Sequence, residues 1–152
     1  MKIFLGADHR GFELKEKLKR FLASHGYEVE DVGAASYEST DDYPDFGRAA
    51  IEGLRAEGGG AFAILICGSG HGMDILANKH RGIRAALCFN ASIAKQSREH
   101  EDANALILPS DWVTEEQAIE IIRAWSDAEF RGEARHVRRL KKIEEIEEEN
   151  FK

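Results

Sequence analysis

Residues able to do chemistry gather around a glycine-rich loop that follows an apolar run. The run 61–66 has the length and composition of a strand buried on both faces, and it leads directly into Cys67. Glycines then alternate at Gly68, Gly70 and Gly72, which lets the backbone turn tightly and present its N–H groups to an anion. We therefore predict a reactive thiol beside an anion-binding loop.

Several well-known loops are excluded by the spacing of these residues. A dinucleotide fingerprint would need glycine at the position of Met73, and a cysteine phosphatase loop would need arginine there. A serine nucleophile elbow would need glycines in place of Cys67 and His71. No Walker sequence follows the loop, and Cys67 and His71 lack a clustered second pair of zinc ligands. We expect no metal and no cofactor.

Other polar side chains form two candidate sets. Asp8, His9 and His100 would join the thiol in acid–base chemistry, whereas Arg135 and Arg139, four residues apart on a predicted helix, would grip one phosphate. Each candidate also has an ordinary structural explanation: core packing for the thiol, helix capping for the aspartate, a surface position for the histidines, and pairing with nearby glutamates for the arginines. Spacing alone leaves both interpretations open.

The elements that must position these residues alternate along the chain. Strands are predicted at 2–6, 27–32, 61–66, 83–88 and 104–108, and helices at 11–25, 43–54, 72–79, 91–100, 114–130 and 134–150. The alternation predicts an α/β fold of βαβ units with a parallel sheet, in one domain over residues 1–152. Ligands bind beyond the carboxyl ends of such strands, where Asp8 and Cys67 fall.

Composition limits the classes of function. The 152 residues are 43% hydrophobic and 32% charged, which is typical of a soluble globular protein, and no apolar run is long enough to span a membrane. The net charge of −7 argues against nucleic-acid partners. The apolar start meets Asp8 too soon for a signal peptide, and Cys67 and Cys88 do not make a disulfide framework. We expect a cytoplasmic protein.

Segments distributed along nearly the whole chain match the motifs of one family. They are residues 7–15, 42–44, 66–70, 77–79, 82–85 and 97–100, with Gly132, Arg135, His136 and Arg139. In these segments the chain resembles the ribose-5-phosphate isomerase B family, which also contains the galactose-6-phosphate isomerase subunits. The resemblance implies a Rossmann-like three-layer αβα sandwich with a five-stranded parallel sheet. It also implies a metal-free aldose–ketose isomerase that acts on a sugar phosphate.

The same resemblance implies an assembly. Family members form a homodimer, or a dimer of dimers, whose active sites draw residues from both subunits. In the helix 134–150 of this chain, apolar residues recur every three positions at Val137, Leu140, Ile143 and Ile146. We expect this helix to pack on a partner subunit.

The resemblance assigns roles to individual residues. Cys67 matches the base that moves a proton between C1 and C2 through a cis-enediolate, and Asp8 and His100 match the groups that open the sugar ring. Ser69 matches a residue of the loop that stabilises the enediolate. The phosphate and substrate contacts are expected from His9, Gly68, Gly70, His71, Gly72, Glu101, Arg135 and Arg139. A helix start after the loop is expected to lower the pKa of the thiol.

Two departures from the family pattern affect the expected substrate. Glu101 stands where the family usually has asparagine, and Asp111 stands where it usually has an arginine near the phosphate. Both are expected to weaken phosphate binding, and His71 is expected to offset them. We expect ribose 5-phosphate and ribulose 5-phosphate as substrates. The alternatives are another aldose phosphate (allose 6-phosphate or galactose 6-phosphate), a free sugar, or a non-catalytic relative that only binds sugar phosphates.

Overall fold

A five-stranded parallel sheet forms the centre of the computed structural model, which describes residues 1–151. Its strands are β1 (Lys2–Ala7), β2 (Glu28–Asp31), β3 (Ala61–Cys67), β4 (Ala85–Leu87) and β5 (Ala105–Pro109). They lie in the order β2-β1-β3-β5-β4, and every paired strand is parallel to its neighbour. The predicted α/β class and five-stranded parallel sheet are confirmed.

Helices cover both faces of this sheet. Within residues 1–151 they are α1 (Phe12–Ser24), α2 (Tyr43–Glu57), α3 (His71–Ala77), α4 (Ala91–Glu101), α5 (Glu115–Ser126) and α6 (Ala134–Asn150). Apolar side chains of α1, α4 and α5 pack on one face, and those of α2 and α3 pack on the other. Alternate residues of the buried strands supply both cores, because Ile64 and Ile66 face one side while Leu65 and Cys67 face the other.

The connections change direction between β1 and β3. After β1 the chain moves toward one edge of the sheet to form β2, whereas after β3 it moves toward the opposite edge to form β4. Such a reversal leaves a crevice at the carboxyl ends of the two strands, because their following helices move apart. This crevice is the expected ligand position in an open parallel sheet.

The segment after α5 differs from the prediction. A helix extending to about residue 130 was expected, but α5 ends at Ser126 and helix is regained only at Ala134. Residues in between dock on α4 instead, since the Arg131 N–H donates to the Glu99 carbonyl at 3.1 Å and their side chains form an ion pair at 2.9 Å. Other predicted boundaries agree with the structure to within three residues.

Helix α6 extends beyond the sheet. It begins beside the end of α4, where the His136 ring stacks on His100 at a centroid distance of 4.4 Å, and Glu147 near its end accepts a hydrogen bond from the Gly82 N–H at 3.1 Å. Leu140 of α6 is buried. Three further apolar residues, Val137, Ile143 and Ile146, remain 44–58% exposed. No helix within residues 1–151 is long and apolar enough to cross a membrane.

Candidate active site

The thiol of Cys67 lies at the carboxyl end of β3, under the first turn of α3. Backbone N–H groups of Gly70, Gly72 and Met73 lie close enough to its sulfur to lower the pKa of the thiol. Gly70 has a φ of +79°, a left-handed conformation that turns the loop into α3 and that side chains other than glycine rarely adopt. The predicted loop therefore surrounds the thiol with amide donors.

Burial raises the pKa of Cys67, and this effect outweighs that of the three backbone N–H groups, which lower it. The nearby Asp8 carboxylate raises the pKa further. The expectation of a lowered thiol pKa is wrong. The amide dipoles favour the thiolate, but burial of the thiol away from solvent disfavours the thiolate more strongly. Cys88 is fully buried in the core, and burial raises its pKa to about 11.

Asp8 is brought beside Cys67 by the parallel register of β1 and β3. Ala7 pairs with Ile66, so the next residues of the two strands emerge together. The buried Asp8 carboxylate accepts hydrogen bonds from the N–H groups of Arg10 and Gly11, at 3.0 and 3.1 Å. A Cβ atom on Gly11 would lie 2.7 Å from the Ile66 carbonyl oxygen, so glycine allows α1 to start directly against β3. Asp8 both caps this turn and presents its charge to the crevice.

His9 is held by the irregular segment between β2 and α2. Its backbone N–H and its ring Nδ1 both contact Asp41 Oδ1, at 3.0 and 2.6 Å, and its ring meets the Tyr37 ring edge-on at 6.0 Å. Lys15 of α1, which is fully buried, anchors the same segment by donating to the Ala34 carbonyl at 2.7 Å. Sequence reasoning missed Asp41, because nothing in its spacing connects it to His9.

Asp8, His9 and Asp41 also form a group that could hold a cation, since each offers a ligand atom within 4.8 Å of the others. One ligand atom of each of these side chains already takes part in hydrogen bonds within the protein. Asp8 Oδ1 binds backbone N–H groups, and the His9 nitrogen binds Asp41. The second oxygen of Asp41, Oδ2, has no hydrogen-bond partner within residues 1–151.

An ion pair between Arg10 and Asp111 lies directly over Gly68. A Cβ atom on Gly68 would lie 2.6 Å from Arg10 Nε and 2.8 Å from Asp111 Oδ2. The Asp111 N–H also donates to the Gly68 carbonyl at 2.9 Å. Asp111 does not supply the positive charge of the arginine usual in the family, but its own charge is balanced by Arg10. The sequence pattern around Asp111 does not reveal this partner, which lies 101 residues away along the chain.

The rest of the loop faces α2. Ser69 Oγ accepts a hydrogen bond from the His71 N–H at 3.3 Å, so its hydroxyl supports the turn. The Tyr43 ring packs on Gly72, where an added Cβ would lie 2.5 Å from the ring. Tyr43 was not among the predicted site residues, although it belongs to one of the segments that match the family.

The remaining predicted residues lie at the opposite edge of the sheet. Helix α4 starts at the carboxyl edge and runs back for eleven residues, about 16 Å, so His100 and Glu101 lie near the amino edge. Arg135 lies near them, because α6 begins against His100, and it pairs with Glu133 at 3.1 Å. Arg139 is exposed and forms no ion pair within residues 1–151. A single chain does not bring this group to Cys67.

Comparison with known proteins shows the family to which this chain is similar. A family model described as Ribose/Galactose Isomerase matches residues 3–143. This chain belongs to that family. Ribose-5-phosphate isomerase B of Escherichia coli strain K12 is 42% identical over 150 residues, which cover 97% of each chain.

Solved structures of the family share the fold over nearly the whole chain. Ribose-5-phosphate isomerase B of Clostridium thermocellum superposes with a TM-score of 0.93 and 47% identity, covering 98% of this chain and 99% of its own. The Mycoplasma genitalium enzyme, solved with bound ribulose-5-phosphate, gives a TM-score of 0.94 and 36% identity, with coverage of 98% and 97%. The predicted family, the fold class and the enzyme class of aldose–ketose isomerase are confirmed.

Proposed function

We propose that this protein interconverts ribose 5-phosphate and ribulose 5-phosphate, with Cys67 as the base. The observation that carries the proposal is the Cys67 thiol, which lies among three amide donors and beside Asp8, at the crevice of the sheet. The relatives named above are ribose-5-phosphate isomerases B, and one of them binds ribulose-5-phosphate.

Isomerisation moves a carbonyl group by one carbon and needs a single base. Once the ring is open, the Cys67 thiolate takes the proton from C2, and the electrons of that bond form the cis-enediolate. The resulting thiol returns the proton to C1 while the proton of the C2 hydroxyl passes to the C1 oxygen, which leaves the carbonyl at C2 and a hydroxyl at C1. The backbone N–H groups of Gly70, Gly72 and Met73, which lie near the sulfur, would stabilise the negative enediolate oxygen.

A raised thiol pKa is compatible with this role. The resting group is a neutral thiol, so the buried site does not carry an unpaired charge. The small fraction of thiolate is a stronger base than a thiolate of low pKa would be, which suits abstraction of a carbon-bound proton. As a consequence, only a small fraction of Cys67 is in the active thiolate form at neutral pH.

The complete site requires a second copy of the chain. We infer that His100 of one copy joins Asp8 of another in ring opening, and that Arg135 and Arg139 join His9 in binding phosphate. The two groups lie at opposite edges of one chain, and the exposed apolar side chains of α6 provide a surface for the partner. A homodimer, alone or as a dimer of dimers, would complete two equivalent sites.

Deuterium exchange tests the reaction. The protein is incubated in D2O with ribose 5-phosphate, allose 6-phosphate, galactose 6-phosphate and free ribose, and deuterium entry at C2 is followed by NMR. We expect exchange with ribose 5-phosphate and its loss in Cys67→Ala. The exposed Glu101 at the expected phosphate end favours testing the free sugar as the second candidate. No exchange with any sugar would refute the isomerase assignment.

Complementation tests the shared site. Cys67→Ala and His100→Ala variants are each expected to be inactive, and mixing them after dissociation should restore about a quarter of the wild-type activity, because half of the dimers then contain one intact site. Each variant mixed with itself is the control. Failure of the mixture to regain activity, with heterodimers present, would refute the shared site but not the reaction.

A further inference from the structure

Asp41 is a buried carboxylate that the reaction described above does not use. Its side chain is only 10% exposed, and both hydrogen bonds to its Oδ1 come from one residue, His9. Its second oxygen, Oδ2, is buried and has no hydrogen-bond partner within residues 1–151. A carboxylate in such a position needs a compensating partner, because burial of an unpaired charge is strongly unfavourable.

The contact fixes which nitrogen of His9 carries a proton. An ionised carboxylate only accepts hydrogen bonds, so at 2.6 Å from Asp41 the ring Nδ1 must be the donor. The other ring nitrogen, Nε2, forms no hydrogen bond within the described chain, and the His9 side chain is 23% exposed. The edge-on contact with Tyr37 further restricts rotation of the ring.

We propose that Asp41 is a positioning residue, which holds His9 with its proton on Nδ1 and leaves Nε2 to meet the substrate phosphate. This inference rests on the proposed function. When a second proton is present, Nε2–H donates to a phosphate oxygen, and Asp41 and Asp8 balance the charge of the ring. A carboxylate behind a histidine commonly fixes its tautomer in this way.

Besides Asp8 and Asp41, the charged groups near His9 belong to α1 or, in the case of Arg10, directly precede it. They line the cavity between His9 and α1 and are Arg10, Glu13, Glu16, Lys17 and Arg20. Four of these side chains are already paired: Arg10 with Asp111, Glu13 and Lys17 with each other, and Glu16 with Lys19. The Asp41 carboxylate is the one in direct contact with the ring, so its loss should dominate any change in the state of His9.

Steady-state kinetics of Asp41→Ala and Asp41→Asn test the proposal. We expect KM for ribose 5-phosphate to rise about tenfold or more in Asp41→Ala, with kcat changed by less than about threefold, because the contact acts on binding. The Asn variant keeps an acceptor and should lie in between. Asp42→Asn is the matched control, since Asp42 is exposed and its side chain caps nothing. A similar KM change in the control would overturn the proposal.

A double-mutant cycle and NMR separate positioning from general damage. In a His9→Ala background, Asp41→Ala should cause no further rise in KM, and a full additional rise would overturn the proposal. In ¹⁵N NMR of wild type, the His9 proton should be on Nδ1, and in Asp41→Ala it should move toward Nε2. An Nε2 proton in neutral wild-type His9 would overturn the proposal whether or not the protein isomerises ribose 5-phosphate. Loss of exchange activity in EDTA would instead indicate a metal on the trio, and would also overturn it.

Discussion

Gly70→Ala perturbs both the fold and the candidate site, and the two effects can be measured separately. The φ of Gly70 is +79°, and a residue with a Cβ in the left-handed region costs about 1–2 kcal/mol. The new Cβ would also lie 2.4 Å from Leu87 Cδ1, and relief of such crowding costs about 1–3 kcal/mol. We expect Gly70→Ala to lower the free energy of unfolding by about 2–5 kcal/mol.

Gly26→Ala provides the matched control. Gly26 has a φ of +82°, almost equal to that of Gly70, but a Cβ there would have no other atom within 4 Å. It should therefore show only the conformational cost of about 1–2 kcal/mol and full activity. The difference in stability between the two variants measures the contact with Leu87.

The activity of Gly70→Ala tests the role of the loop. The Gly70 N–H lies near the Cys67 sulfur and lowers the pKa of the thiol, and displacement of one such donor should reduce kcat by about 10²–10³-fold. Urea unfolding gives the stability, and deuterium exchange into ribose 5-phosphate, at temperatures where both variants are folded, gives the rate. A folded Gly70→Ala variant that is as active as Gly26→Ala would refute the assignment of these amides to the reaction.

Three further outcomes follow from the charged and titratable groups. Because burial raises the pKa of Cys67, its alkylation by iodoacetamide should accelerate about tenfold per pH unit from about pH 7 to 9. Cys67→Ala is the control, and a plateau in the alkylation rate below about pH 8 would contradict the raised pKa. Asp111→Asn frees the charge of Arg10 and should lower KM for ribose 5-phosphate about two- to fivefold at low ionic strength. This decrease in KM should disappear in about 1 M NaCl. An increase in KM would show that Asp111 acts mainly by positioning Arg10. Burial and the adjacent His100 lower the pKa of His136, so the folded state binds fewer protons than the unfolded state. The free energy of unfolding should therefore decrease as the pH falls below about 6.5. This decrease should be smaller in His136→Phe.

The sequence was sufficient to predict the sheet and the half of the site that surrounds Cys67. Alternating elements predict a parallel sheet, and in a parallel sheet the residues that follow neighbouring strands meet at one edge. Asp8 and Cys67 therefore came together as expected, with Gly68, Gly70 and Gly72 beside them.

Other features depend on relations that a sequence pattern does not display. Asp41 reaches His9 from an irregular segment whose path is determined by tertiary hydrogen bonds. The direction of the Cys67 pKa shift follows from two opposed effects, burial and amide donation, whose balance needs the packed structure. His100 and Arg135 match the family motifs, but their distance from Cys67 becomes evident only when the direction of α4 is known.

The buried Lys15 has a consequence for motion. Its bond to the Ala34 carbonyl and the bond from the His9 amide to Asp41 are two of the attachments that hold the 32–42 segment, which contains no helix or strand, against the body of the protein. Release of such a segment is a local opening, with a free energy below that of global unfolding. Hydrogen exchange at the His9 amide would give the free energy of this opening, and thus the fraction of time for which His9 is left without its carboxylate.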